Sequence, residues 1–486
     1  MSTWHHNKIS SRLLIGVFFA AIFSGGCSVG PNYHRPTVTS PSSFKELSGW
    51  KQAEPADTLV KGGWWRAFGD PLLDTLEGQV AISNQTIAAA EAQYRQAKAL
   101  VKSARAGYFP TVSAQGSSTR QLQSQNAGTP GRSVAAALPP FTDNLLQGNV
   151  AWEPDVWGRV RRTVESNRAT AQASAADLAA VCLSTQAELA QDYFALRIAD
   201  VQKRLLDSTV SIYTKFLNLT QLRDEQGIAS QADVLAARTQ LASTQAQLID
   251  VGVQRSQLEH AIATLTGKPA SFFAIEPVDT LPMRVVAVPP SLPSTLLERR
   301  PDVAAAERTV AAANAQIGVA KAAYYPNITL SGSGGYESSE LSNLLSWPSR
   351  LWSLGGAFTE NLFTGGLRRA QVEAASAAYD VQVATYRQTV LSAFEDVEDN
   401  LAALRILGQE AVVQKEAVTA AKRSSAITLD RYQQGIASAL DVINTQTIEL
   451  TNKRGAVTVL GNQMSASVLL IKAIGGGWSA DSLHKL

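Results

Sequence analysis

The 486-residue chain is 45% apolar, enough to bury a sizeable core, and it carries 43 Lys and Arg against 41 Asp and Glu. Two of the basic residues, Lys8 and Arg12, precede Cys27, so the chain from Cys27 onward has 41 residues of each sign. Proteins that hold nucleic acid neutralise its phosphates with a basic surplus or a basic stripe. We expect neither feature here and predict that nucleic acid is not a partner.

The N-terminus has the pattern of an export signal. Lys8 and Arg12 are followed by an apolar run, 13–23, and then by small residues up to Cys27. A helix that crosses a bilayer needs ~20 apolar residues, so this run is too short to span one. The order of charged region, apolar region and small-residue cleavage site predicts that residues 1–26 are a removable signal peptide.

The small residues that end at Cys27 resemble a bacterial lipobox, whose cysteine is acylated and becomes the first residue of the mature chain. Ser24 stands where the lipobox usually has Leu, and Ser28 stands where inner-membrane lipoproteins tend to have Asp. The resemblance implies anchoring in outer-membrane lipid by two or more acyl chains. The alternative is an ordinary cleaved signal that leaves Cys27 as a free thiol. Cys182 is expected to be a buried, small apolar side chain without a disulfide partner.

The chain repeats itself. Residues 108–113 match 324–329 at an offset of 216, and residues 226–230 recur at 434–438 at an offset of 208. Four matches in the same order indicate a tandem duplication. The two matches between these are Asp155–Arg162 with Asn361–Arg369, and Asp192–Arg197 with Asn400–Arg405. The predicted segments are a signal peptide 1–26, a lipid-anchored extension 27–63, a first repeat 64–266, a linker 267–291, a second repeat 292–474 and a tail 475–486.

Each repeat is predicted to contain the same elements in the same order. A helix of about 35 residues comes first and ends before Pro110 or Pro326, because proline disfavours helix in the residue before it. Two strands with alternating polar and apolar residues follow, and then a very long helix without internal proline. Gly227 and Gly435 end the long helices as left-handed caps, and another helix returns from each. The predicted ranges are strands 110–122 and 144–157 and helix 162–226, then strands 326–337 and 351–363 and helix 367–434.

The long helices are predicted to pack as antiparallel coiled coils. Their apolar residues recur at spacings of three and four, which form a heptad seam. A compact helical bundle is the alternative, but helices of ~95–100 Å favour a tube or rod. The predicted seam residues are Leu205, Ile212, Phe216, Leu219, Phe394, Val397, Leu401 and Leu404.

Four strands per chain are too few to close a membrane barrel, since such barrels start at ~8 strands. An open sheet edge in lipid leaves backbone groups unpaired, at several kcal/mol each. We therefore expect several chains to pool their strands. Six aromatic residues are candidates for interface girdles, although ordinary core packing would explain each one equally well: Trp152, Trp157, Trp347, Trp352, Phe358 and Phe363.

Four motifs are the most specific in the chain: Trp64–Leu73, Leu297–Glu307, Ile317–Pro326 and Lys472–Trp478. Together they resemble the outer-membrane factor family, the TolC-like outer-membrane efflux proteins, in its OprM/NodT-type lipoprotein branch. The resemblance covers nearly the whole chain after Cys27. It implies a mainly α fold with a small β part, in which a homotrimer pools twelve strands into an outer-membrane β-barrel and extends its helices as a periplasmic α-barrel.

The resemblance also implies a function without catalysis. Such channels export small molecules, such as drugs or other toxic compounds, that an inner-membrane pump delivers through a periplasmic adaptor protein. The turns between the long helices are the implied docking tips for the adaptor. These residues are Gly227, Ile228, Ala229, Ser230, Gly435, Ile436, Ala437 and Ser438.

The resemblance places a pore gate just beyond the second turn. Leu440 would form an apolar ring and Asp441 an acidic one, with Asn444 where many members have a second Asp. Such rings favour cations and gate by charge and dewetting. Tyr432 and Asp233 are the candidates for hydrogen bonds that latch the closed tips. The alternative for both acids is a helix N-terminal position favoured by the macrodipole.

Three other functions stay open. The first alternative is an enzyme. The sequence has no metal-ligand spacing, nucleophile elbow or phosphate loop, so we predict no catalytic residue, metal or cofactor. The acids within 395–399 are interpreted as a solvated helix face, because consecutive helix positions point in different directions. A coiled-coil rod or adhesin without a pore is the second alternative. The third is a type I protein-secretion duct, which shares the implied fold.

Overall fold

The structure, a computed structural model, describes residues 28–41, 43–47, 63–122, 139–278 and 299–478. The predicted signal peptide 1–26 and the predicted lipidation site Cys27 lie outside these residues. So do parts of the predicted linker 267–291 and of the two terminal extensions.

The described residues form seven α-helices and four β-strands. The first repeat contains α1 (Pro71–Ser83), α2 (Gln85–Ala106), β1 (Thr111–Gln121), β2 (Phe141–Trp152), α3 (Arg159–Glu225) and α4 (Gln231–Leu265). The second repeat contains α5 (Pro301–Ala322), β3 (Asn327–Ser338), β4 (Arg350–Thr359), α6 (Leu367–Gln433) and α7 (Ala439–Ala473). Helices α3 and α6 have 67 residues each, which corresponds to about 100 Å of helix.

The start of the first repeat differs from the prediction of one long helix before Pro110. The helix is interrupted at Asn84, which separates α1 from α2. The Asn84 side-chain oxygen accepts hydrogen bonds from the backbone N–H groups of Thr86 (2.9 Å) and Ile87 (3.1 Å). Its side-chain nitrogen donates to the Leu265 carbonyl at 2.8 Å. The break is stable because Asn84 satisfies the first free N–H groups of α2 and also ties the break to the end of α4.

Strand β2 ends at Trp152, earlier than the predicted end at residue 157. Pro154 has no N–H to donate to a strand ladder. Asp155 then caps the beginning of α3, because its carboxylate accepts from the backbone N–H of Val160 at 2.8 Å and of Arg161 at 2.9 Å. The predicted strand end is therefore the cap of the next helix.

The strands form one antiparallel sheet in the order β1-β2-β3-β4. Residues paired directly across strands share a face, so the register defines a row from Val112 through Val150 and Gly332 to Leu354. This face is apolar and largely exposed, with Leu354 84% and Val112 75% exposed. The opposite face is lined by polar residues: Ser113, Gln115, Ser117, Gln147, Asn149, Ser331, Ser333 and Ser353.

The described chain divides into two compact units. The first consists of the described residues of Met1–Pro36, Arg95–Ala171 and Arg308–Ala384, and it contains the sheet. The second consists of the described residues of Thr37–Tyr94, Gln172–Glu307 and Thr385–Leu486.

The second unit contains a large hydrophobic core. Tyr193 of α3 packs there with Val397 and Leu401 of α6, and all three side chains are fully buried or nearly so. The predicted seam is confirmed for Val397, Leu401 and Phe216, which are buried. Ile212 is 46% exposed within one chain, so the chain by itself does not bury this position of the seam.

Two predictions for single side chains are also wrong. Glu398 is not part of a solvated face, because its carboxylate accepts from the backbone N–H groups of Lys45 (2.7 Å) and Glu46 (3.0 Å). Cys182 is half-buried rather than buried, and it packs at the edge of the core. Both side chains meet residues that are distant in sequence, which local patterns do not reveal.

Among the described helices, α7 is long and apolar enough to cross a membrane by length and composition alone. Its apolar residues nevertheless form part of the core. Val442, Val468 and Leu470 are fully buried. Helix α7 is therefore packed as a core helix.

Candidate functional site

The two turns between long helices are built alike. Gly227 has a φ of 72° and Gly435 a φ of 81°, a left-handed conformation that favours glycine. The following isoleucine in each turn donates its backbone N–H back to the helix, Ile228 to the Arg223 carbonyl and Ile436 to the Arg431 carbonyl, both at 2.8 Å. This bonding ends the helix as a Schellman-type cap and leaves the isoleucine side chains 62% and 63% exposed.

Each turn continues into a capping box. The Ser230 hydroxyl accepts from the Asp233 backbone N–H at 3.2 Å, while the Asp233 carboxylate accepts from the Ser230 backbone N–H at 3.0 Å. Ser438 and Asp441 repeat the arrangement at 3.1 and 3.0 Å. The two predicted gate acids therefore both hold the beginning of a helix. Within the chain, both acids have the contacts of helix N-terminal residues, which is the alternative to a gate role.

Asp441 is exposed at the start of α7. Its pKa lies below the ordinary value, because the Ser438 hydroxyl and backbone N–H both donate to the charged carboxylate. Leu440 is 58% exposed and Asn444 is exposed as well. The three predicted gate residues of α7 thus lie on the open surface of the chain, one helical turn from the tip.

Tyr432 is buried between the two hairpins. Its hydroxyl lies 3.3 Å from the Thr220 hydroxyl, and its ring lies 5.4 Å from the Phe216 ring. The Arg223 guanidinium lies 4.5 Å above the Tyr432 ring and donates a hydrogen bond to the Tyr432 carbonyl. We call these four residues the tip clasp. The clasp joins α3 to α6 through a cation–π contact and hydrogen bonds.

The structure does not bring the two predicted latch residues together. Tyr432 contacts α3, while Asp233 bonds to its own turn. The sequence reading missed Thr220 and Arg223. Their spacing from Phe216, four and then three residues, puts all three on one helix face and is the local signal that was available. The partner of that face is distant in sequence and was not predictable from it.

No described group of three or more His, Cys, Asp or Glu side chains is arranged to hold a metal ion. The tips instead combine exposed small residues, a buried aromatic clasp and charged helix ends. This arrangement suits close contact between helices.

Comparison with known proteins decides the family. The sequence model of outer membrane efflux proteins matches residues 76–268 and 292–476. The chain belongs to the outer membrane efflux protein family. The two matched regions each contain one pair of long helices.

Relatives of this efflux protein extend over almost its whole length. The solvent efflux pump outer membrane protein SrpC of Pseudomonas putida is 30% identical over 476 residues, 95% of this chain and 97% of SrpC. The toluene efflux pump outer membrane protein TtgC, also of Pseudomonas putida, is 28% identical over 469 residues, 96% of each chain. The solved structure of the outer-membrane channel OprN is 28% identical with a TM-score of 0.86, covering 93% of this chain and 100% of OprN.

These matches confirm the resemblance seen in the sequence. The protein is an efflux protein of the outer membrane. Its family is one of efflux channels and not of enzymes.

Proposed function

We propose that three copies of this efflux protein form a channel whose twelve pooled strands cross the outer membrane and whose helices form a periplasmic α-barrel. The observation that carries the proposal is the sheet. It has one exposed apolar face, one polar face, and a strand at each edge, β1 and β4, that pairs on one side only within the described residues.

Such a sheet is not complete in one chain. In water the apolar face would be an unusually large exposed patch, and in lipid the open edges would leave backbone groups unpaired. Pairing β4 of one copy with β1 of the next removes both edges. The apolar face then meets lipid and the polar face lines a water-filled lumen, as in transmembrane barrels.

The start of the predicted mature chain lies close to the sheet, which fits a lipid anchor at the membrane. The Val29 backbone N–H donates to the Trp157 carbonyl at 3.1 Å. A Cβ on Gly158 would lie 3.0 Å from the Ser28 hydroxyl, so Ser28 packs closely on this turn. Ser28 and Val29, which follow Cys27 in the sequence, therefore lie on the turn between β2 and α3. Processing of residues 1–26 and lipidation of Cys27 are part of the proposal.

The relatives' names support the rest of the assembly. SrpC and TtgC are outer-membrane components of solvent and toluene efflux pumps. By analogy this chain exports small, toxic molecules that it receives from an inner-membrane pump through a periplasmic adaptor. The adaptor would dock on the exposed turns 227–230 and 435–438. The closed gate would combine Leu440, Asp441 and Asn444 with the tip clasp.

The test uses the processed, full-length protein purified in detergent. We expect a trimeric mass by light scattering and discrete conductance steps in planar bilayers. A trimer that never conducts would contradict the channel and favour the coiled-coil rod. A monomer would contradict the pooled barrel.

A further inference from the structure

The duplication gives the chain two copies of one helix face, on α2 and on α5. Residues spaced three, four and three apart lie on one side of a helix. The offset of 216 pairs Arg95, Lys98, Lys102 and Arg105 of α2 with Ala311, Asn314, Gly318 and Lys321 of α5. The face that carries four cations in the first repeat therefore carries small and mostly neutral residues in the second.

The copy on α5 is covered by the chain's own N-terminal strap, residues 28–36. Gly30 has a φ of 100° and lies so close that a Cβ on it would be 2.4 Å from the Gly318 Cα. The Asn314 side chain donates to the Pro31 carbonyl at 3.1 Å. The small residues on α5 are thus explained by the strap that lies on them.

The strap is held from α3 as well. The buried Arg162 guanidinium donates to the carbonyls of Val29 (3.2 Å) and Gly30 (3.3 Å) and to the Asn32 side-chain oxygen (3.0 Å). Each chain has one N-terminus, so the matching face on α2 has no strap of its own. A strap from another copy would not suit that face, because the strap contains Arg35 and no acid.

The copy on α2 forms a basic stripe, defined as Arg95, Lys98, Lys102 and Arg105. All four side chains are exposed, and they extend over about 15 Å of helix. The last acid on α2 is Glu91. Within the described part of the chain, Arg95, Lys102 and Arg105 form no salt bridge. The expectation of no basic stripe is therefore wrong for this helix, because chain-wide neutrality conceals a local cluster.

The stripe ends where exposed apolar residues begin. Helix α2 stops at Ala106, Phe109 is 69% exposed, and Val112 on the apolar face of β1 is 75% exposed. An aromatic residue followed by cations, at the end of an apolar segment, is the order typical of a membrane interface.

We propose that the basic stripe binds the headgroups of anionic phospholipids at the membrane surface from which β1 emerges. This surface exists only if the sheet lies in the membrane, so the inference rests on the proposed function. The attraction between a cation and a charged lipid surface falls off within a Debye length of about 10 Å in 0.1 M salt. Arg105 and Lys102, nearest the sheet, should therefore contribute more than Arg95.

The test measures which lipid the purified full-length protein retains from mixed micelles of phosphatidylglycerol and phosphatidylcholine, by native mass spectrometry. The stripe variant replaces Arg95, Lys98, Lys102 and Arg105 with Gln. The matched control replaces four exposed cations elsewhere on the long helices with Gln: Lys215, Lys415, Lys422 and Arg423. The wild type and the control should prefer phosphatidylglycerol, and the stripe variant should lose at least about tenfold of that preference.

Two outcomes would overturn the proposal. One is a stripe variant that keeps the preference, and the other is a control that loses it equally, which would reduce the effect to net charge. If the fourfold variant does not assemble, the pair Lys102→Gln and Arg105→Gln should weaken retention more than the pair Arg95→Gln and Lys98→Gln. Equal weakening would count against a membrane-facing gradient.

Conductance separates this proposal from the channel itself. A stripe variant that conducts like the wild type but has lost the lipid preference supports the lipid surface. A wild type that prefers phosphatidylglycerol without conducting contradicts the channel and leaves the lipid surface supported.

Discussion

At the scale of single residues, the two capping boxes are chemically identical but sit in different surroundings. Asp233 and Asp441 accept the same pair of hydrogen bonds at nearly the same distances. Only Asp441 is followed by the predicted gate residue Asn444 and preceded by Leu440. The pair therefore separates a capping role from a pore role within one molecule.

Replacing either acid with Asn should weaken its helix cap to a similar extent. Asp441→Asn should in addition lower the cation selectivity of the channel, because a ring of carboxylates would become neutral. Reversal potentials in a salt gradient measure selectivity, and thermal unfolding measures the cap. Cation selectivity that stays at the wild-type value in both Asp233→Asn and Asp441→Asn would assign both acids to capping alone.

The tip clasp makes a second prediction at this scale. Tyr432→Phe with Arg223→Met removes the hydroxyl contact, the cation–π contact and the hydrogen bond to the Tyr432 carbonyl. The two hairpins should then separate more easily, and single-channel conductance should rise. Arg431→Met is the control, since Arg431 occupies the repeat position of Arg223 and its side chain is exposed. Unchanged conductance in the double variant would show that the clasp does not restrain the gate.

Glu77 is the least expected side chain in the core. It is fully buried on α1 beside Leu73, Leu76 and Val80, and among the described residues neither of its carboxyl oxygens has a hydrogen-bond partner. Burial raises its pKa to about 9, with the nearby Asp74 adding to the effect. The group is therefore neutral in the folded protein at neutral pH.

A raised pKa of a buried acid makes the protein less stable as pH increases. The folded state holds a proton that the unfolded state releases above a pKa of 4.5, so the free energy of unfolding falls between that value and about 9. The slope is at most about 1.4 kcal/mol per pH unit. The Gln side chain of the Glu77→Gln variant cannot ionise, so the variant should lack this slope. Its free energy of unfolding at pH 7 should exceed that of the wild type by up to about 3 kcal/mol. Thermal unfolding at several pH values measures it, with the exposed Glu91→Gln as control; an unchanged slope would contradict the neutral acid.

At the scale of elements, strand β4 places alternate residues on an apolar face and on a polar face. Leu354 lies on the apolar face with Val112 and Val150, whereas its neighbour Ser353 lies opposite and shares a 2.8 Å hydrogen bond with Ser333. The period of two in the sequence produces both faces. The proposed lipid contact depends on that alternation.

Lysine substitutions on the two faces should differ sharply. Leu354→Lys places a charge on the lipid side, which costs about 2–4 kcal/mol near the middle of a bilayer. Ser353→Lys places the same charge toward the lumen and should be tolerated. Heat-resistant trimers on gels and the fraction of protein in outer-membrane preparations measure assembly. Equal assembly of both variants would contradict a sheet with one face in lipid.

At the scale of the whole molecule, a channel of three chains would present six turns at its periplasmic end, two from each copy. The isoleucine of each turn is exposed, and the neighbouring Ala229 and Ala437 are small. Small residues permit close approach between a turn and the helices of a partner. The end of such an assembly would therefore be suited to close contact with an adaptor.

Bulky residues at the turns should block that contact. Ala229→Trp with Ala437→Trp should abolish efflux of a fluorescent pump substrate from cells that depend on this protein, while trimers remain intact. Ser424→Trp, an exposed position on α6 away from the turn, is the control. Efflux that persists in the double variant would remove the turns from the docking site.

The sequence by itself determined the features that depend on neighbouring residues. The turn glycines, the alternation of the strands and the absence of proline in α3 and α6 are local, and they predicted the helix ends and sheet faces closely. The duplication also predicted that both repeats contain the same elements in the same order, because similar sequences fold alike. The turn 435–438 of the second hairpin repeats 227–230 for the same reason.

Only the tertiary structure decided which distant residues meet. Arg223 and Tyr432 are 209 positions apart, and Glu398 reaches back 353 positions to Lys45. Likewise, the N-terminal strap covers the repeated face on α5, whereas the four cations of the matching face on α2 are exposed. Packing between distant segments fixes these contacts, because their energy depends on shape and charge brought together by folding, which no local pattern contains.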